Sequence, residues 1–409
     1  MNVQLFTLLT ASVFLAASIP TAAQTDFEGF QQQRDSEFET YKKTLEEQFA
    51  AFKSIHREET ERFQAEISTV WTEPEISTQT TWVEYSDDLT ERTTVDFDAE
   101  TITIETVSSE ASALSVETLT STLTELVAKN RADAFADDVI ARAVEQRAVV
   151  EIEDLRTAEV EPVGVIVPYL TGMLEVGTAR IKDIVEHMVE NVTTTTLPGK
   201  GDRTVHRLEV PLIAPEPSVE FPNNEIAPKS LPNRAKSIWG HVSNFSTMAE
   251  VEPSLIYAVI ETESSFNPFA KSPVPAYGLM QIVPESGGKD ATQKLNGAPQ
   301  VLSPSYLYNV ENNIQIGTTY MNVLYYKYLK RVNDPLSRLY CSIAAYNAGI
   351  GRVSKIFTGS MKIEPAVDQI NRMTSDRVYS MLETKLPNET RQYLKKVSTR
   401  KEKYEKMGI

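Results

Sequence analysis

The residues with chemistry to offer gather at the end of one helix. From Pro253 the chain reads Pro-Ser-Leu-Ile-Tyr-Ala-Val-Ile-Glu-Thr-Glu-Ser-Ser-Phe, and Asn267-Pro268 follows at once. Proline suits a first helical turn and the residue before a proline avoids the α region, so a helix over Pro253–Ser265 is expected. Glu263 comes four residues after Val259 and three after Ile260, which places it on the apolar face. Glu261 follows Tyr257 and Ala258 and lies on another side. A carboxylate on an apolar face is desolvated, and one in the last turn also meets the negative end of the helix dipole; both effects raise its pKa. A carboxyl still protonated at neutral pH is what general-acid catalysis needs. From these residues alone, a partly exposed glutamate at a helix end is the other reading.

Other chemistries find little support. Cys341 is the only cysteine, so an intrachain disulfide and a Cys-rich metal site are excluded, and its apolar helical setting reads as a buried thiol. His56, His187, His206 and His241 are scattered without metal-ligand spacing, so no metal and no cofactor are expected. Pro198-Gly199-Lys200-Gly201-Asp202 does not match a phosphate-binding loop and reads as a turn between two strands.

The elements that must position Glu263 belong to a chain of two unlike parts. At 409 residues, with 41% hydrophobic and 24% charged content, it is long enough for one large or two ordinary folded domains. The net charge of −17 argues against a nucleic-acid partner. Residues 1–225 hold 42 acids against 17 bases, whereas residues 226–409 hold 15 against 23. Between Pro211 and Pro232 six prolines and almost no periodicity predict a stiff extended linker, and the charge changes sign there.

Residues 1–23 carry no charge, have an apolar stretch from Leu5 to Ala17, and end in small residues after Pro20, which reads as a signal peptide cleaved after Ala23. The apolar part is shorter than a bilayer span needs, and no transmembrane segment is expected in the mature chain. Residues 24–72 form an amphipathic helical segment. Phe27, Phe30, Phe38, Tyr41, Leu45, Phe49, Phe52 and Ile55 make one face, which must pack on a partner helix or on the following domain. Residues 73–210 form a small α+β domain. A hairpin with one solvated face is expected over Trp82–Val107, broken at Ser86-Asp87-Asp88; helical spacing runs from Val116 to about Leu155, and Val163–Val167 and Val205–Ile213 are further strands. Residues 233–409 are helical nearly throughout, over Pro253–Ser265, Val310–Leu329, Pro335–Tyr346, Ile350–Phe357 and Glu389–Tyr404.

The string from Glu263 to Pro268 is followed by Ala270 and Ser272, then Tyr277-Gly278-Leu279-Met280-Gln281-Ile282. Next come Asn313-Ile314 with Gly317 and Tyr320, and Ala344-Ala345-Tyr346-Asn347-Ala348-Gly349 with Gly351 and Val353. This ordered set resembles the motifs of the soluble-lytic-transglycosylase family, and Pro387–Tyr393 with Val397 resembles its closing motif. Phe97–Thr106 is similar to the N-terminal domain of the murein transglycosylase C type. The resemblance covers most of the mature chain and implies an α+β protein whose second domain is mainly α and lysozyme-like, of the goose-type/SLT kind.

That resemblance implies cleavage of the β-1,4 bond between N-acetylmuramic acid and N-acetylglucosamine in peptidoglycan glycan strands, for wall turnover and remodelling. Glu263 matches the single catalytic glutamate. It would protonate the glycosidic oxygen and then take the proton from the muramoyl C6 hydroxyl as that oxygen attacks C1, leaving a 1,6-anhydro end. Ser264, Met280 and Gln281 match residues lining the cleft. Tyr346 with Asn347 matches the pair that orients the acid and contacts sugar, and Tyr393 a tyrosine approaching the same glutamate. Core packing is the other reading for Met280 and the tyrosines; Gly278, Gly349 and Gly351 read as structural.

The residues are consistent with one carboxylate, since Glu285, Asp290 and Glu311 have no placement comparable to Glu263. Relatives of the C type carry a lipidated cysteine at the mature N-terminus. No such cysteine is present, so a soluble periplasmic protein is expected, associated with the outer membrane only through a cell-wall protein partner at residues 26–70. The basic cluster Lys395, Lys396, Arg400, Lys401, Lys403 and Lys406 suits anionic peptidoglycan, although a solvated helix face is the plainer reading. A hydrolase of the goose-lysozyme kind and a non-catalytic wall-binding protein are the competing readings. An intact Glu263 speaks against the second; nothing in the residues separates transfer to the C6 hydroxyl from transfer to water.

Overall fold

The computed structural model describes residues 22–108, 114–158, 181–198, 203–211, 227–228 and 230–409. The expected signal peptide up to residue 21, the strand at Val163–Val167, the turn at Gly199–Asp202 and most of the Pro-rich linker lie outside the described residues. By internal contacts the chain divides into Met1–Glu47 and Gln48–Ile409. One helix, Ala22–Ile67, runs through both. No described helix is long and apolar enough to cross a membrane.

Within the second unit, Phe49, Phe52, Ile55 and Ile67 of this helix are buried. Phe52 and His56 meet the edge of Tyr277, with ring centroids 6.3 Å and 5.9 Å apart, and Phe63 meets Tyr85 at 6.0 Å. From Gln48 onward the apolar face is therefore covered by the chain's own later domains and not by a partner. The side chains of Phe27, Phe30, Phe38 and Tyr41 lie outside the description.

Five antiparallel strands follow: β1 Thr81–Tyr85, β2 Glu91–Asp96, β3 Thr101–Ser108, β4 Thr193–Thr196 and β5 Thr204–Pro211, in spatial order β1-β2-β3-β5-β4. The register aligns Trp82, Val95, Ile102 and Val210 across one face, all fully buried, as period-two alternation requires. The opposite face departs from the expected solvated one. Arg92 and Glu105 form a buried ion pair there at 2.6 Å, and the Arg92 guanidinium lies 4.3 Å over the Trp71 ring. Each charge is satisfied by the other, which makes burial of that face tolerable.

The helical run after β3 is three helices, Val116–Ala128, Arg131–Asp137 and Val139–Glu151. Its breaks are caps. Asn130 and Asp133 form a reciprocal capping box, and the Asp138 carboxylate accepts the Ala141 N–H at 3.0 Å.

The remaining domain is helical, as expected. Helix Pro253–Ser264 is buried on nearly every side, and it packs between helix Trp239–Ala249 and the C-terminal helix Asn388–Lys406. Tyr257 anchors that packing. It stacks on Trp239, tilts against Tyr404 at 5.3 Å, and donates its hydroxyl to the Ala235 carbonyl at 3.1 Å. The expected helix Val310–Leu329 is α-helical over Val310–Asn322 and continues as a π-turn over Val323–Tyr328. Helices Ile363–Ile370 and Ser375–Lys385, short and flanked by polar turns, were not expected.

Candidate active site

Helix Pro253–Ser264 ends where the Asn267-Pro268 signal places it. Ser265 and Phe266 turn into the left-handed region with φ 49° and 69°, and the Asn267 carboxamide accepts the Phe269 N–H at 2.9 Å. Glu263 sits in the last turn, 7% exposed, on the interior face that its spacing predicted. Burial pushes its pKa up from 4.5 to about 8; the Tyr393 hydroxyl opposes this, and the Glu389 charge adds to it. Tyr393 stands beside the carboxyl, with its buried hydroxyl outside full hydrogen-bond geometry. A second tyrosine, Tyr346, is partly buried, and desolvation followed by the charge of Glu263 raises the pKa of both phenols and holds them neutral.

Glu261, two residues earlier, faces the C-terminal helix. It accepts from the Tyr404 hydroxyl at 2.7 Å and the Lys403 ammonium at 3.0 Å, and the Arg400 guanidinium donates to the Glu261 carbonyl at 3.1 Å. Burial raises its pKa, but these partners outweigh burial and leave the net shift downward. The basic cluster of the C-terminal helix is thus not simply a solvated face. Arg400 and Lys403 hold Glu261, and Lys401 pairs with Glu252 and Glu405.

A tight turn over Tyr277–Ile282 approaches the helix from the other side, closed by mutual backbone hydrogen bonds of Tyr277 and Ile282. Gly278 has φ 75°, and a Cβ there would meet the Asn313 Nδ2 at 2.3 Å and the Leu307 carbonyl at 2.4 Å. Only glycine allows that approach. Asn313 clamps the turn: its Oδ1 accepts the Met280 N–H at 2.8 Å, and its Nδ2 donates to the carbonyls of Tyr277 and Leu307 at 2.8 Å and 2.7 Å. The sequence pattern around Asn313 does not single the residue out as functional. A buried amide next to an apolar helical run, in need of partners, is the signal that could have found it.

The other candidate residues fall into two sets. Ser264 and Met280 are fully buried beneath the site. The Ser264 hydroxyl lies 2.8 Å from the Leu279 carbonyl and 3.0 Å from that of Ile260, with one hydrogen to share, and so ties the turn to the helix. Met280 packs so tightly on Gly317 that a Cβ there would lie 2.4 Å from its sulfur. Tyr346 donates to the Met280 carbonyl at 2.9 Å and packs on Tyr320 at 5.3 Å. Gln281 instead brings an unpartnered polar atom: it has φ 46°, bonds Gly278 through Nε2 at 3.2 Å, and leaves Oε1 free. Asn347 accepts from Thr390 at 2.8 Å, linking helix Pro335–Ala348 to the C-terminal helix. Glu389, also missed, is exposed, yet its charge reaches Glu263.

The arrangement holds one carboxyl protonated at neutral pH beside two neutral phenols, a proton donor of the kind that general-acid catalysis uses. Residues 242–367 match the family model of the transglycosylase SLT domain, and residues 53–161 that of the N-terminal domain of membrane-bound lytic murein transglycosylase C. The chain is similar to membrane-bound lytic murein transglycosylase C of Klebsiella pneumoniae (43% identical over 182 residues, 44% of this chain and 49% of the relative). It is similar to the protein of that name from Haemophilus ducreyi (34% over 232 residues, 56% and 58%). Among solved structures it is similar to the lytic transglycosylase Slt of Pseudomonas aeruginosa (25% identity, 41% of this chain and 23% of that one, TM-score 0.32). The chain spans about half the length of the curated relatives it matches.

Proposed function

The chain belongs to the lytic murein transglycosylase family, and from that premise we propose that it cleaves the β-1,4 bond between N-acetylmuramic acid and N-acetylglucosamine in peptidoglycan, leaving 1,6-anhydromuramoyl ends. The observation that carries the reading is Glu263 itself, a buried carboxyl held protonated up to about pH 8. In the proposed reaction it gives its proton to the glycosidic oxygen as the C1–O bond breaks. The sugar's N-acetyl group stabilises the oxocarbenium-like state. The carboxylate then takes the C6 hydroxyl proton as that oxygen bonds to C1, so the acid is regenerated and no water is consumed.

Gln281, whose Oε1 lacks a partner, and Tyr393, which faces Glu263, are the residues we assign to substrate contact, together with Asn347. Ser264, Met280 and Tyr346 act from beneath, holding the turn that shapes the cleft. The setting is the bacterial envelope, as the names of the relatives suggest, with the mature chain in the periplasm. One observation favours a second reading. Glu389 is an exposed carboxylate whose charge reaches Glu263, and a second acid able to activate water would make the enzyme a hydrolase.

Mass spectrometry of the soluble fragments released from purified peptidoglycan separates these readings. Fragments ending in 1,6-anhydromuramic acid, absent with Glu263→Gln, are expected. Reducing muramic ends would instead establish the hydrolase, and no release by the unmodified protein would remove the enzymatic reading.

A further inference from the structure

The turn joining β2 to β3 reaches the end of the helix that carries Glu263. Asp96 accepts the N–H groups of Asp98 and Ala99, each at 2.9 Å, and Glu100 adopts φ 55°, so the turn Phe97–Glu100 is shaped by its own residues. From it, the Asp98 Oδ1 accepts a hydrogen bond from the Ser265 hydroxyl at 2.9 Å. Ser265 is the first of two consecutive non-glycine residues in the left-handed region, directly after the last helical turn. Arg234 grips the same two pieces. Its Nη1 donates to the Phe97 carbonyl at 3.3 Å and lies 3.4 Å from the Glu100 carboxylate, while its guanidinium stacks 5.5 Å over the ring of Phe266. Just beyond, the Lys271 N–H donates to the Thr78 carbonyl at 3.1 Å, and the Asn267 carboxamide to that of Gln79 at 3.4 Å.

Left-handed backbone at serine and phenylalanine costs energy and persists only where surroundings hold it. Here those surroundings include a different domain. We infer that Asp98 and Arg234 are positioning residues for Glu263: the sheet turn sets the backbone of Ser265 and Phe266, and through it the direction in which the final helical turn presents the carboxyl. The N-terminal domain is then part of the catalytic apparatus and not an appended module. This rests on the reading of Glu263 as the general acid. The ionisable groups facing Glu263 are Glu389 and Tyr393 of the C-terminal helix and Tyr346 of helix Pro335–Ala348. Asp98 is not among them and acts through geometry, not charge.

The test uses the full chain and purified peptidoglycan, with Asp98→Ala, Asp98→Asn and Arg234→Ala, reading kcat, KM, the pH profile and Tm. Asp98→Ala is expected to lower kcat about three- to tenfold at unchanged KM, because small misplacement of a reacting group is costly. It should also move the alkaline limb of the profile, since a displaced carboxyl is differently buried. Asp98→Asn, which keeps the accepting oxygen, should restore both, and Arg234→Ala should resemble Asp98→Ala. An active wild type whose Asp98→Ala and Arg234→Ala variants keep kcat and the alkaline limb overturns this inference alone. So does a rate that falls only in proportion to lost folded protein with the limb in place. A wild type that releases no fragments overturns the assignment of Glu263 and this inference together.

Discussion

Glu261 and Glu263 lie two residues apart on one helix and are driven in opposite directions. Glu261 is held by the Tyr404 hydroxyl, Lys403 and Arg400, which keep it ionised below its ordinary range against the pull of burial. Glu263 has burial without a cation, and its pKa rises to about 8. The helical twist places one carboxyl against a basic helix and the other in an apolar pocket, so one helix supplies a structural anchor and a proton donor.

The raised pKa of Glu263 predicts two pH dependences. The proposed reaction requires the protonated acid, so the rate should fall as pH rises through about 8. Stability has the same sign. Between the unfolded value of 4.5 and about 8 the native state keeps a proton that the unfolded chain has released, so this stabilisation is present at low pH and is lost as pH rises across that window. Urea midpoints of the wild type and Glu263→Gln should therefore diverge in favour of the variant from pH 5 to pH 8, a range set by that shift.

Glu261→Gln should destabilise the fold while sparing catalysis. The amide still accepts from Tyr404 but loses the attraction of Lys403 and Arg400. A cost of about 1–2 kcal/mol is expected, reduced by solvent screening because the Lys403 side chain is 40% exposed. Since the native pKa of Glu261 is depressed, its contribution is present above the ordinary carboxylate range and is lost as pH falls through its native value. Calorimetry at neutral and acid pH, with kcat per folded molecule, checks this; an unchanged neutral-pH Tm would contradict it.

Gly317→Ala should disturb the Tyr277–Ile282 turn. The new Cβ would fall 2.4 Å from the Met280 sulfur and 2.9 Å from its Cβ, and the second atom cannot swing away. Overpacking of this kind costs about 1–3 kcal/mol. Because Met280 is tied to Asn313 and Tyr346, displacement should also lower kcat. A variant with wild-type kcat would show that the turn tolerates movement.

Lys271→Ala should be among the most destabilising surface-remote changes in this chain. Its ammonium meets both oxygens of the buried Asp138 at 2.7 Å and 3.0 Å, joining the helices before residue 152 to the C-terminal helical domain. Leaving that charge unpaired costs about 3–5 kcal/mol. The double variant Lys271→Met with Asp138→Asn should recover part of the loss, as asparagine still caps the helix at Ala141. Equal Tm values for the single and double variants would refute the coupling.

Much of the site was legible because its rules are local. Spacing within one turn put Glu263 on the apolar face, and Asn267-Pro268 ended the helix beside it. Alternation marked β1 and a single run that the structure divides into β2 and β3 at the turn Phe97–Glu100, and helical spacing marked the helix that carries Tyr346. Locality also set the limit. The spacing around Lys395–Lys406 resembles any solvated face until Glu261 is brought against it, and the face at Phe52 has no visible partner until Tyr277 arrives from a distant segment.

By itself, then, the sequence determined which carboxyl faces inward, where its helix stops and which of the longer segments are helical. Hydrophobic period and backbone sterics act over a few residues and can be read from them. Tertiary structure decided how strongly Glu263 is desolvated, that Tyr393 and Glu389 face it, that Asn313 clamps the neighbouring turn, and that Asp98 reaches Ser265. Those facts depend on close packing of segments far apart in the chain, where a residue's pKa and hydrogen bonds are set by neighbours that no local pattern specifies.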